Sequence, residues 1–82
     1  MYTVYVLRDS LGKFYKGMTN NLSRRLKEHR SGHTSTTSRM TNIAVVYTET
    51  FEEVDAARKR ELYFKSAAGR KFLKKVVRGP IA

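Results

Sequence analysis

Two apolar segments near the start of the chain have the composition of short strands. Residues 2–7 (YTVYVL) are rich in β-branched and aromatic side chains, and residues 14–18 (FYKGM) have a similar character. The segment between them, RDSLGK at 8–13, contains Asp, Ser and Gly, which favour tight turns. Strands joined in this way form antiparallel hairpins, so the pattern predicts a hairpin over residues 2–18.

A short helix is predicted next. Asn20 or Asn21 can cap a helix over residues 22–30 (LSRRLKEHR), and Gly32 is expected to end it. Residues 33–42 (HTSTTSRMTN) are polar and rich in hydroxyl groups, which predicts a loop.

The second half of the chain predicts one strand and two helices. Residues 43–50 (IAVVYTET) begin with an unbroken apolar run, which favours a buried position at the centre of a sheet. Residues 55–68 form a helical segment that Gly69 interrupts, and residues 70–77 form a further short helix. The element order is therefore β-β-α-β-α-α. The expected α+β fold is a three-stranded antiparallel sheet flanked by helices.

Length and composition restrict the architecture. The 82 residues suffice for one domain, expected to span 1–82, and its 40% hydrophobic content allows it to fold. The chain has no cysteine, which excludes disulfides and thiolate metal sites. No secretion signal is recognised at the N-terminus, and the longest apolar run, residues 43–47, is too short to cross a bilayer. A cytoplasmic location is therefore expected.

The charge balance indicates a polyanionic partner. Lys and Arg total 17 against 7 Asp and Glu, which gives a net charge of +10. Such a field concentrates polyanions, and nucleic acid is the polyanion that a protein most often meets inside a cell. An acidic membrane surface is the competing partner, but membrane binding usually needs a basic helix with large apolar anchors. The chain has no Trp, and its basic helices need their apolar faces for a core, so no membrane partner is expected.

Two polar residues fall on the apolar side of the first helix. At about 100° per residue, Leu22 and Leu26 define an apolar stripe that also carries Arg25 and His29, whereas Glu28 points toward solvent. A guanidinium in this position needs an anion, and a bound phosphate would supply one. Alternatively, Arg25 pairs with a core carboxylate and His29 is a semi-buried histidine with satisfied hydrogen bonds.

Glu61 gives a similar signal on the second helix. It falls near the centre of an apolar stripe formed by Val54, Ala57, Phe64 and Ala68. Glu61 is also the only acidic residue after Ala56, in a segment rich in Lys and Arg. Such a carboxylate stays ionised and can ligate a hard divalent cation. The alternatives are an intrahelical pair with Lys65 or a buried pair with Arg25.

Two tyrosines lie on the facing strands of the hairpin. Tyr5 and Tyr15 can bring their hydroxyls to one side, and Gly17 permits the close approach of a ligand. Alternatively, both tyrosines simply pack against the sheet.

Together these residues resemble the GIY-YIG nuclease superfamily. The two half-motifs read TVY at 3–5 and YKG at 15–17. The run YKGMTNNLSRRLKEHRSG and the segments TSRM, VVYTETF and ARKRELYFKSAAGRKFLKK are also similar to the family, so that the resemblance covers residues 2–77. It is strongest to small stand-alone members related to the N-terminal nuclease domain of the excision-repair enzyme.

The resemblance implies a role for each candidate residue. Tyr5 and Tyr15 would position or deprotonate the attacking water, and Gly17 would leave room for the phosphate. Arg25 would neutralise charge on the phosphoryl oxygens. His29 occupies the site one turn later, where members carry His or Tyr.

The resemblance also implies a cofactor and a reaction. Glu61 would be the single metal ligand for Mg²⁺ or Mn²⁺, and no small-molecule cofactor is expected. The reaction would be hydrolysis of a phosphodiester by water. The resulting hypothesis is a Mg²⁺-dependent endonuclease, structure-selective or nonspecific, that nicks DNA in repair or processing. The alternative is a catalytically idle nucleic-acid-binding module with the same fold.

The sequence departs from the family pattern at three motif positions and at one position after the metal-binding helix. Thr3, Val4 and Lys16 replace the Gly and the two Ile residues of the half-motifs. Several relatives carry an Asn after the metal-binding helix, whereas this chain has none beyond Asn42. No separate recognition domain is present, so sequence-specific cleavage is not expected from this chain alone.

A wider set of basic residues is expected to contact the nucleic-acid backbone without reading its sequence. Taken singly, each of them is more often a solvated surface charge. The set consists of Lys16, Arg24, Lys27, Lys59, Lys65, Arg70, Lys71, Lys74 and Lys75.

Overall fold

Three strands form one antiparallel sheet. A computed structural model describes residues 1–31 and 42–77. The strands are β1 (Tyr2–Arg8), β2 (Phe14–Thr19) and β3 (Ala44–Phe51), and they lie in the order β2-β1-β3. Both neighbours run antiparallel to β1, so the predicted sheet is confirmed.

The turn of the first hairpin is organised by Asp9. Its carboxylate is buried, and Oδ1 accepts hydrogen bonds from the backbone N–H groups of Leu11 (3.0 Å) and Lys13 (2.8 Å). Gly12 adopts a φ of 84°, a left-handed conformation that glycine allows without strain. These local interactions fix the pairing that brings Tyr5 opposite Gly17.

Three helices complete the predicted order β-β-α-β-α-α. They are α1 (Leu22–Arg30), α2 (Val54–Lys65) and α3 (Ala67–Val76). Asn21 caps α1, since its side chain accepts a hydrogen bond from the backbone N–H of Arg24 at 3.0 Å. The predicted helix stop at Gly32 and nearly all of the predicted loop lie outside the described residues. Within the ranges that the structure does describe, every helix is too short or too polar to span a membrane.

The predicted central position of the third strand is wrong. The central strand is β1, whose residues Val4–Leu7 are all buried, whereas β3 lies at an edge of the sheet. The register between β1 and β3 shifts by one residue, because Val6 faces Tyr47 while Leu7 faces Val45. The bulge breaks the alternation of β3, so its consecutive apolar residues imitate the pattern of a buried strand.

The break between the last two helices occurs at Ser66 and not at the predicted Gly69. Ser66 adopts an extended conformation, and its hydroxyl caps α3 by accepting a hydrogen bond from the N–H of Gly69 at 3.1 Å. Gly69 is a buried residue in the first turn of α3. A Cβ atom there would overlap the carbonyl oxygen of Tyr63 and lie 2.6 Å from Cα of Phe64. The glycine is therefore required for close packing of the two helices and does not interrupt one.

The two faces of the sheet carry different contacts. Val4 and Val6 face α2 and α3 and join a core cluster with Ala57, Phe64 and Leu73. Successive strand residues point to opposite faces, so Tyr5 and Leu7 face the other side. That side carries the contacts between β1 and α1. Two residues of the predicted apolar stripe of the second helix lie outside this core, since Val54 and Ala68 are exposed.

Candidate active site

Tyr5 lies at the centre of the candidate site. It projects from the central strand and is only 1% exposed, and its phenol passes over Gly17 on the neighbouring strand. A Cβ atom at Gly17 would lie 2.5 Å from the hydroxyl oxygen of Tyr5. The space beside Gly17, which the resemblance assigned to the phosphate, is thus occupied by the phenol of Tyr5.

His29 is buried against both tyrosines. Its Nε2 atom lies 2.9 Å from the hydroxyl oxygen of Tyr5, within hydrogen-bond distance. Its ring packs edge-on against Tyr15, with 4.9 Å between the ring centroids. The two tyrosine rings are 6.3 Å apart. The placement of His29 on the inner side of α1 is therefore confirmed.

Arg25 reaches the same hydroxyl from one turn earlier in α1. Its Nε–H donates to the oxygen of Tyr5 at 3.4 Å, and Nη1 donates to Oε1 of Glu28 at 3.0 Å. Glu28 is half-buried on the same helix, so it does not point away into solvent as expected. About a third of the Arg25 side chain is exposed (33%), which leaves part of the guanidinium open to an incoming anion.

The protonation states of these groups follow from their surroundings. Burial raises the pKa of Tyr5, the hydrogen bond from Arg25 opposes this effect, and the negative charge of Glu61 adds to the rise. Burial and the positive charge of Arg25 lower the pKa of His29. Hydrogen bonds to Tyr5 and Glu28 raise the pKa of Arg25. At neutral pH the site therefore holds a neutral phenol, a neutral imidazole and a cationic guanidinium.

Glu61 faces inward from α2. Its side chain is 16% exposed, and Lys65 donates to Oε2 at 3.4 Å, which is the intrahelical pair considered from the sequence. No ion pair joins Glu61 to Arg25 among the described residues. The charge of Glu61 nevertheless contributes to the raised pKa of Tyr5, so the carboxylate lies within electrostatic reach of the phenol.

The donor set suits a cation that keeps most of its water. Across residues 1–31 and 42–77, no three His, Cys, Asp or Glu side chains converge as a ligand set. A single carboxylate such as Glu61 fits Mg²⁺, which binds proteins through one or two carboxylates and retains several waters. It does not fit a structural Zn²⁺ site, which needs four protein ligands.

The wider basic set is spread over four elements. Lys16 is half-buried on β2, while the other members are exposed. Arg24 is engaged locally, because its Nη2 donates to Oδ1 of Asn20 at 3.3 Å. The remaining exposed members are Lys27 on α1, Lys59 and Lys65 on α2, and Arg70, Lys71, Lys74 and Lys75 on α3.

Sequence reasoning missed a second cluster of polar groups, around Arg60. Its guanidinium donates to both carboxylate oxygens of Glu49 on β3, at 2.9 and 3.0 Å, and Tyr47 donates to the same carboxylate at 2.6 Å. The guanidinium also lies about 5 Å from the ring centres of Tyr63 and Phe64 (4.8 Å each). The spacing of Arg60 three and four residues before two aromatic residues is the signal that sequence reasoning could have used.

Comparisons with known proteins give a matching family model and several similar proteins. The family model described as the GIY-YIG catalytic domain matches residues 1–75. A UPF0213 protein of Halobacterium salinarum is 35% identical over 66 residues, a region that covers 79% of this chain and 86% of the relative. A UPF0213 protein of Clostridium perfringens is 38% identical over 66 residues, with 79% and 71% covered.

A viral relative and a solved structure extend the comparison. A UPF0213 protein of Autographa californica nuclear polyhedrosis virus is 42% identical over 48 residues, and the match covers 57% of this chain and 46% of the viral protein. The chain thus spans about half the length of that relative. The solution NMR structure of a UPF0213 protein from Bacillus halodurans superposes with a TM-score of 0.59 at 30% identity, covering 98% of this chain and 89% of that one.

Proposed function

The chain belongs to the GIY-YIG catalytic domain family, and on this basis we propose that it is a metal-dependent endonuclease that hydrolyses nucleic-acid phosphodiester bonds. The family is one of nucleases, which supports a hydrolase acting on nucleic acid in general. The finer proposal is Mg²⁺-dependent nicking of DNA, structure-selective or nonspecific, by a single domain over residues 1–82. A role in DNA repair or processing and a cytoplasmic location are part of the same proposal.

The observation that carries this proposal is the phenol of Tyr5 held between Arg25 and His29. Arg25 is a fixed donor to the phenol oxygen, so the phenolic proton is directed toward Nε2 of His29 in the tautomer that accepts it. The imidazole is able to accept, because burial and the charge of Arg25 lower the pKa of His29 and keep the ring neutral. Tyr5 can then take a proton from an attacking water as it passes its own proton to His29.

Arg25 would stabilise the negative charge that develops during the reaction. In-line attack by water on phosphorus places negative charge on the phosphoryl oxygens. The guanidinium stays positively charged at every relevant pH, because its hydrogen bonds to Tyr5 and Glu28 raise the pKa of Arg25. The partly exposed N–H groups of Arg25 are available to those oxygens. Tyr15, packed on His29, would hold the imidazole in place and offer its hydroxyl to the substrate.

Glu61 would hold the divalent cation. When bound, Mg²⁺ or Mn²⁺ supplies Lewis-acid stabilisation of the charge that develops on the phosphate. Lys65 donates to Oε2 of Glu61 at 3.4 Å, and the carboxylate has further lone pairs with which it would ligate the cation.

The same ion pair favours the second candidate function, a catalytically idle nucleic-acid-binding module. A carboxylate neutralised by Lys65 within its own helix is stable without any metal. In that case the basic surface would bind nucleic acid while the tyrosines merely pack. The two candidates differ in one measurable property, which is cleavage that depends on Glu61 and Tyr5.

A nicking assay distinguishes them. Supercoiled plasmid and branched DNA are incubated with the protein in Mg²⁺ and, separately, in EDTA. We expect nicking in Mg²⁺ that Tyr5→Phe and Glu61→Gln each slow by about 100-fold or more. Matched controls outside the site, Tyr2→Phe and Glu52→Gln, should nick at the parent rate.

Two outcomes would reject the nuclease. If the site variants nick as fast as the parent, a contaminant is responsible for the cleavage. If the parent binds DNA but leaves every substrate intact in both Mg²⁺ and Mn²⁺, the idle binding module is the correct function.

A further inference from the structure

Lys16, Lys65 and Arg70 lie on β2, α2 and α3, and α2 packs against both of the other two elements. Lys16 pairs with Val6, so its side chain lies on the sheet face that α2 and α3 cover. Lys65 is the last residue of α2, and Arg70 lies in the first turn of α3. Burial lowers the pKa of Lys16, and the positive charges of Arg70 and Lys65 lower it further, in agreement with this placement.

Among the described residues, a single carboxylate pairs with this cluster. All seven Asp and Glu residues of the chain lie within the described ranges. Lys65 is paired with Glu61, but within those ranges Lys16 and Arg70 take part in no ion pair. Three positive charges are thus balanced by one carboxylate. Bringing like charges together from separate elements costs free energy unless an anion joins them.

Tight packing fixes the position of the cluster. Gly69 has no room for a side chain, since a Cβ atom would overlap the carbonyl oxygen of Tyr63. This contact holds the first turn of α3 against the end of α2 and sets the position of Arg70, the next residue. Lys16 is held from the other side, with its Nζ atom 5.9 Å from the ring centre of Phe14. The convergence is therefore a property of the fold and not of long surface side chains alone.

The cluster adjoins the candidate active site on the side of Glu61. Lys16 stands between Tyr15 and Gly17 in the edge strand β2, and Lys65 contacts the carboxylate of Glu61. We propose that Lys16, Lys65 and Arg70 form a subsite for a second nucleic-acid phosphate, next to the phosphate that is cleaved. The location relative to the cleaved phosphate rests on the proposed nuclease function.

The chemistry of the three side chains suits a phosphate group. Arg70 offers a planar set of N–H donors that matches two phosphate oxygens, and the two ammonium groups act as point charges. Lys65 can serve both groups, because its ammonium has three N–H donors and its hydrogen bond to Oε2 of Glu61 uses one of them. The same substrate strand would therefore be held by Arg25 on one side of Tyr5 and by this cluster on the other.

Two small ligands that differ by one phosphate test the subsite. Thymidine 3′,5′-bisphosphate and thymidine 5′-monophosphate are titrated in EDTA and followed by amide NMR shifts. The parent should bind the bisphosphate about tenfold more tightly, as one additional charged hydrogen-bonded contact implies. This preference should fall close to one in the Lys16→Met/Arg70→Gln double variant. It should fall to the same extent in Arg25→Gln, because one ligand bridges both sites.

The control variant is Lys13→Met, which removes one exposed positive charge from the hairpin turn and should keep the tenfold preference. Equal binding of the two ligands by the parent, or a preference that survives in the double variant, would overturn the subsite. A preference that Lys13→Met lowers as much as the double variant does would also overturn it, since this would show general attraction by net charge. Neither ligand contains a phosphodiester bond. A protein that shows the expected pattern but nicks no DNA keeps the subsite and loses the proposed nuclease function.

Discussion

The hydroxyl of Tyr5 contacts two side chains of α1, the charged guanidinium of Arg25 and the neutral imidazole of His29. Arg25 is permanently charged, and its charge and the burial of the ring keep His29 neutral. A second cation beside Arg25 in a buried site would be costly, so the guanidinium adds to the larger effect of burial in keeping the imidazole neutral. Gly17 completes the arrangement, because any larger residue would collide with the phenol. The site thus combines a fixed hydrogen-bond donor, Arg25, with an imidazole, His29, that is unprotonated at neutral pH and can accept a proton.

This arrangement predicts how stability depends on pH. The pKa of His29 is lower in the folded protein than in the unfolded chain, where it is roughly 6.5. Below that pH the unfolded chain binds more protons than the folded one. The free energy of unfolding should therefore fall as the pH drops from about 6.5 through the folded pKa, by at most about 1.4 kcal/mol per pH unit. Urea denaturation between pH 5 and 8 measures the effect.

Substitution of each histidine identifies the source. His29→Gln should abolish the decline between pH 5 and 6.5, whereas replacement of the only other histidine, His33→Gln, should leave it in place. The nicking rate should decline only at and below the lowered pKa of folded His29, because protonated His29 cannot accept the proton of Tyr5. A pH dependence that is unchanged in His29→Gln would contradict a neutral buried imidazole.

At the level of elements, the sequence predicted features that depend on neighbouring residues. The hairpin, the start of α1 at Asn21 and the order of all six elements follow from local turn, cap and periodicity signals. The edge position of β3 could not be predicted in the same way, because it depends on a bulge against β1. The break at Ser66 was missed for a related reason. Glycine disfavours helices, so the sequence predicts an interruption at Gly69. Only the structure shows its close contact with Tyr63.

The candidate site was predictable to a similar degree. Helical periodicity alone indicated that Arg25 and His29 face inward, and that Glu61 lies on the inner side of α2. Their relation to the two tyrosines came from the family resemblance, since no local rule joins side chains from four elements. The pair of Arg60 with Glu49 was missed because it joins α2 to β3. Helical periodicity within α2 carries no information about which strand residue Arg60 contacts.

The role of Gly69 predicts whether Gly69→Ala raises or lowers the free energy of unfolding. If this glycine only interrupted a helix, Gly69→Ala would stabilise the protein by about 0.4–1 kcal/mol through the unfolded state. The structure leaves no room for the methyl group, so α3 has to move away from α2. We therefore expect Gly69→Ala to lower the free energy of unfolding by about 1–3 kcal/mol in urea denaturation. The adjacent exposed position provides the control, because Ala68→Gly should cost only the helix propensity of about 1 kcal/mol. A stabilised Gly69→Ala protein would disprove the tight contact.

For the whole molecule, the distribution of charge matters more than its total. Three of the seven acidic residues, Glu52, Glu53 and Asp55, lie together where β3 leads into α2. Asp9, Glu28 and Glu49 are each engaged within the fold by the hairpin turn, by Arg25 and by Arg60. The exposed bases of α3 therefore have no acidic neighbours in their own helix. The net charge of +10 is thus carried largely by α3, which has four Lys and Arg residues and no acid, and by α1, which has four and one acid.

This distribution predicts how strongly DNA binding depends on salt. If about five phosphates are contacted, the logarithm of the association constant should fall with the logarithm of salt concentration at a slope of about −4 to −5 on duplex DNA. Affinity would then drop by a factor of about several hundred between 50 and 200 mM salt. Fluorescence anisotropy in EDTA measures the slope without cleavage. A Lys74→Met/Lys75→Met variant should make it shallower by about one to two, because each lost phosphate contact releases fewer counterions. Tyr5→Phe should leave the slope unchanged, since the buried phenol carries no charge. A slope near zero in the parent would show that the positive surface is not the binding face.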